Sequence, residues 1–197
     1  MVFDLKAMTD AAMCAIFDPV ALAHLLELSW YDIDKMTGCD EGIVDQNQDA
    51  GNLITHSIAS DGSFTFRFYV DEDPPEEAID EPVSSFSGAL LKVPSGKLCA
   101  VGYEYLPQKE SRIATIDDYD TDDMGESHAI PPGNYRVDGY NLAWQYDVEE
   151  SRSITEVFKD LFGRGKPKPV EPYAIFVLRR LPDDSDISKL KGAGLSL

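Results

Sequence analysis

The sequence is poor in bases: 17 lysines and arginines stand against 36 aspartates and glutamates, a formal net charge of −19 at pH 7. A field of that sign repels phosphate backbones, so direct binding to nucleic acid is not expected. Cysteine is scarce as well. Cys14, Cys39 and Cys99 are odd in number and show no C-x-x-C spacing, which argues against a disulfide framework and a zinc knuckle. No apolar run approaches the roughly 18 to 20 residues of a membrane helix, and Asp4 and Asp10 fall where a signal peptide would be basic or apolar. Membrane association is therefore not expected, and the cytoplasm is the default compartment. Also missing are a Gly-x-Ser-x-Gly elbow, a His-Glu-x-x-His pair and a phosphate-cradling glycine loop.

What remains is ordinary globular material. The apolar share of 43% and aromatic share of 10% are enough for a packed interior, so a single domain over 1–197 is expected, with no cofactor. The acidity is uneven. Residues 1–150 carry a net −22, while 151–197 carry +3. Such a field steers basic proteins into encounter at rates that fall with salt, although solubility alone is the plainer reading.

The spacing predicts a helical N-terminal segment over residues 1–50. Ala11, Ala12, Ala15 and Ile16 precede Asp18-Pro19, where Asp caps and Pro takes the first helical position. Ala21, Leu25 and Leu28, widened by Leu22 and Leu26, then mark an apolar stripe through about Trp30.

From Leu53 the period changes to two. Leu53–Ile58 and Ser63–Val70, separated by Ser60-Asp61-Gly62, read as a hairpin in which Phe64, Phe66 and Phe68 face inward. Ser87–Val93 and Leu98–Leu106, joined by Pro94-Ser95-Gly96-Lys97, read as a second. Segments 130–137 and 140–146 read as two further strands. Ser153 and Glu156 form a capping box for a short helix near 154–162. Tyr173–Leu181 is apolar throughout its middle, as expected of a central strand buried on both faces. The expected fold is mainly β with helical additions (α+β): an antiparallel β-sandwich or strongly bent sheet of about seven to eight strands in the core 51–182, with a flexible tail from 183.

The acidic loops are the candidate partner-binding residues: Asp71, Glu72, Asp73, Glu76 and Glu77 in one, Asp118, Asp120, Asp122 and Asp123 in the other. Clustered carboxylates also suit Ca²⁺, yet the EF-hand spacing fails at both Asp118 and Asp45, which lack the glycine at position six and the glutamate at twelve. No metal is expected. Trp30, Tyr31, Asp32 and Asp34 combine an aromatic pair with alternating acids, suited either to recognising a basic side chain or to anchoring a helix end.

The turn phrases Val93–Leu98 and Ile130–Val137, with Ser60–Phe64 upstream, resemble those of small bacterial β-sandwich families, including inhibitors of the competence-nuclease type. The resemblance spans about residues 53 to 181 in order of elements and carries no catalytic residues. It implies an immunity- or inhibitor-type protein that masks a basic surface on a protein partner. The alternative is an enzyme or small-ligand binder assembled from Asp32, Asp34, His128 and Tyr140. A third reading is a homo-oligomer in which the basic C-terminal segment meets the acidic body of a neighbour.

Overall fold

A computed structural model describes residues 1–34, 42–58, 61–109, 125–142 and 172–194. Nine strands form one mixed sheet: β1 (Val2–Thr9), β2 (Met13–Phe17), β3 (Leu53–Ser57), β4 (Gly62–Val70), β5 (Ser84–Val93), β6 (Lys97–Gly102), β7 (Gly125–Ala129), β8 (Gly133–Asn141) and β9 (Ala174–Arg180). Their order is β3-β2-β6-β7-β1-β4-β9-β8-β5. All pairings are antiparallel except β4 with β9.

The sheet curls until its ends nearly meet. Ile54 of β3 and Leu91 and Val93 of β5, from opposite ends of the strand order, belong to one core with Leu5, Ile16, Phe66, Phe68, Leu98, Tyr135 and Phe176. The seam is closed by main chain. Leu90 N donates to Lys191 O at 2.7 Å and Lys92 N to Gly51 O at 2.8 Å, so the open edge of β5 is covered. A nearly closed barrel, not a sandwich, is the result.

The N-terminal helices are corrected by the same core. Leu5, Ala7 and Thr9 are buried at every second position of β1, a period of two that feeds the barrel interior. In β2 the small residues Cys14 and Ala15 are fully buried on opposite faces, so the alanine-rich stretch is a central strand and its helix propensity is overridden. The next segment, Pro19–Glu27, is a 3₁₀ helix in which Leu22 and Leu25 are buried. Three residues per turn put those two side chains on one line.

Two further corrections concern connectivity. Neither expected hairpin forms: β3 pairs with β2, β4 with β1 and β9, β5 with β8, and β6 with β2 and β7. The bends are present, with Gly96 at φ 79°, yet they turn the chain between separated strands. Residues 133–141 are one strand, and β7 occupies 125–129, where the acidic loop was expected to end. The helix expected near 154–162 lies outside the described residues.

The barrel's outer face is covered in two places. The 3₁₀ helix, α1 (Trp30–Asp34) and α2 (Ile43–Asp49) lie over β2 and β6 around Phe17, Leu22, Ile33, Cys99 and Val101. Ala78 and Ile79, from the segment between β4 and β5, lie over Tyr69, Ile175 and Val177.

Candidate functional site

That second covering is the acidic segment 71–81, with seven carboxylates in eleven residues. It enters through Asp71 at φ 54° and leaves through Glu81 at φ 48°, left-handed conformations that non-glycine residues hold only when their surroundings enforce them. The anchors are visible. Asp71 N donates to Leu178 O at 2.8 Å, and the Asp71 carboxylate accepts from Arg180 N at 2.9 Å. Arg179 bonds the Glu72 carbonyl and pairs with the Asp73 carboxylate, while the Glu72 carboxylate meets the amino group of Met1. Val83 N donates to Asn141 O at 2.8 Å at the far end.

The segment is thus a strap with a packed underside and a charged upper side. Asp71, Glu72 and Asp73 are spent on holding it down. Glu76, Glu77, Asp80 and Glu81 are exposed, and among the described residues no hydrogen bond or ion pair engages their carboxylates. Val83, 47% exposed, supplies an apolar neighbour.

The other candidates divide. Trp30 is half-buried and meets Tyr103 edge-on at 5.2 Å, so it anchors the helix end. Asp32 accepts from the Ser29 hydroxyl at 2.7 Å, and Asp32 N donates back to that hydroxyl at 3.2 Å, a local cap. Tyr31 and Asp34 lie in α1, their side chains outside the described residues. Asp118, Asp120, Asp122 and Asp123 also lie outside them.

Asp32, Asp34, His128 and Tyr140 were the suspects for a dispersed catalytic site. His128 lies on β7 and Tyr140 on β8, separated in the sheet by β1, β4 and β9. His128 ends an aromatic stack that runs through Phe3 (4.0 Å), Phe68 (5.3 Å from Phe3) and Phe176 (5.4 Å from Phe68) across four neighbouring strands. Tyr140 packs beside Ile79, where burial and then Asp138 push its hydroxyl above its ordinary pKa.

Thiol chemistry finds no support among the described residues. Burial, with Glu104 adding to it, pushes the Cys14 thiol up to about 12. Burial pushes Cys99 up to about 12 as well, with Lys97 opposing and Asp18 adding. Both thiols are inert as nucleophiles at neutral pH. Among the described residues no group of three or more acids, histidines or cysteines is placed to hold a metal. Asn47, from the failed calcium motif, is buried and bonds Ile43 O at 2.8 Å and the Asn52 amide at 2.9 Å, fixing the turn after α2.

No protein-family model matches the chain, and no curated protein does. Among solved structures the chain is similar to one described as Crocagin biosynthetic gene J, with a TM-score of 0.51 and 16% identity over 92% of this chain and 96% of that one. The two share a fold. ComJ from Bacillus subtilis, inhibitor of the DNA-degrading activity of NucA, is similar at a TM-score of 0.43 and 8% identity over the same shares of each chain.

Proposed function

We propose that the chain is a non-enzymatic acidic binding protein whose strap 71–81 docks a basic protein partner, in the manner of an inhibitor or immunity protein. One observation carries this reading: the strap is fixed at both ends, yet four of its carboxylates point to solvent without a partner among the described residues. A fixed loop loses little conformational entropy on binding. Unpaired carboxylates favour cationic side chains, and the −22 region behind them speeds encounter.

The opposite arrangement would have weakened the case. A solubilising acidic loop has no need of arginine clamps or of an apolar underside. The test is a pull-down of the products of neighbouring genes at low and high salt. A basic protein retained only at low salt is the expected result, and absence of any salt-sensitive partner counts against the reading.

A further inference from the structure

We propose that the outer face of β5 and β8 carries a binding site for the anionic group of a small ligand, formed by Lys92, Asn134 and Arg136. Leu91, Val93, Tyr135 and Val137 fill the barrel interior, so the alternating residues Lys92, Asn134 and Arg136 face outward. Lys92 lies directly opposite Asn134, and Arg136 is the next outward residue on β8. A cleft of about 410 Å³ opens beside Lys92 and Asn134, walled by Pro94, Pro132, Ala21 and Asn52, with Arg136 next to it along β8 and outside its lining.

Its composition is inverted relative to the chain. Acids outnumber bases twofold in the sequence, yet no carboxylate lines the cleft and a lysine does. Lys92 is half-buried there, and among the described residues neither its ammonium nor the Arg136 guanidinium has a hydrogen bond or ion pair.

The register adds a second anomaly. Arg136 is directly opposite Arg179 on β9, and like charges so placed repel. Asp73 answers Arg179, while no carboxylate among the described residues pairs with Arg136. An anion bridging Lys92 and Arg136 would relieve that repulsion with charge-assisted hydrogen bonds. The Asn134 main-chain carbonyl accepts from Leu181 N at 2.8 Å, and its side-chain amide, at the cleft wall, is a further donor. Pro94 and Pro132 offer apolar walls to the body of the ligand. The chemistry selected is therefore a compact carboxylate or phosphate monoester bearing a flat apolar group.

The site is independent of the strap. It is tested by NMR titration of the full chain with benzoate and phenyl phosphate, with benzamide as the neutral control. Saturable shifts at Gly133 and at the Asn52 and Asn134 side-chain amides are expected with one or both anions, and which anion acts identifies the class. Lys92→Gln and Arg136→Gln should each weaken binding about tenfold while leaving the melting temperature unchanged. Lys6→Gln, on the outer face of β1, should bind as the parent does. Lack of saturable shifts, equal binding of benzamide, survival of binding in both variants, or an equal loss in Lys6→Gln overturns the proposal.

Discussion

The carboxylate of Asp18 reaches Ser95, 77 residues away in sequence, accepting from the Ser95 backbone nitrogen and hydroxyl, each at 2.8 Å. The same fully buried carboxylate accepts from Val20 N at 2.8 Å and Gly96 N at 3.1 Å. One side chain thus starts the 3₁₀ helix and fixes the bend that carries the chain from β5 to β6. Asp18→Ala leaves those buried donors unsatisfied and should destabilise the fold by about 3 kcal/mol in urea unfolding. Ser95→Ala removes one of the bonds and should cost about 1 kcal/mol. Near-equal values would mean that the Ser95 hydroxyl bond alone accounts for the role of Asp18.

The two buried thiols give the protein an alkaline limit. Their folded pKa values lie above the ordinary 9.0, so the fold favours the protonated thiol and binds more protons than the unfolded chain at high pH. The stability they contribute is fully present below pH 9.0 and is lost as pH rises towards about 12. Cys14→Ala with Cys99→Ala should flatten the decline of the urea midpoint with pH just above 9.0, before the tyrosines titrate. An unchanged slope would assign the decline elsewhere.

At the seam, Gly192 and Gly194 admit the chain where side chains would not fit. A Cβ on Gly192 would collide with the Gln48 carbonyl, and one on Gly194 would come within 2.6 Å of the Thr55 hydroxyl. Gly192→Val should push the segment out and release the Leu90 amide from Lys191 O. Hydrogen exchange at Leu90 should rise far more than at Phe66 or Phe176, deep in the core. Equal protection in parent and variant would show that the seam does not depend on this contact.

The elements of the fold are legible in the sequence to different degrees. Asp18 is legible as a cap because Asp-Pro is a local signal, yet its bond to Ser95 depends on the tertiary fold. Phe64, Phe66 and Phe68 and the apolar run of β9 were legible because burial imposes its own period on a strand. Phe64 is only half-buried at the rim. Ala11–Ile16 misled, since alanine favours helix wherever no sheet edge competes for it. Asp61-Gly62 and Pro94–Lys97 misled differently: turn chemistry reports a bend and not which strands the bend brings together.

The acidic strap was equally legible as an exposed loop, while its clamps were not. Arg179 and Arg180 stand more than 100 residues from the carboxylates they hold. Arg179→Ala should therefore loosen the strap alone. Exchange at residues 76–81 should increase with little change in global stability, because the ion pair is exposed and such pairs contribute about 1 kcal/mol or less. A global loss of several kcal/mol would contradict that division.

The central claim is that the free carboxylates of the strap engage a basic protein. The most direct test compares the parent chain with the variant Glu76→Gln/Glu77→Gln/Asp80→Asn/Glu81→Gln in pull-downs of neighbouring gene products at low and high salt. The account predicts that the parent retains a basic protein at low salt and releases it at high salt, while the variant, with an unchanged melting temperature, fails to retain it. Equal retention by both chains, or retention indifferent to salt, would contradict it.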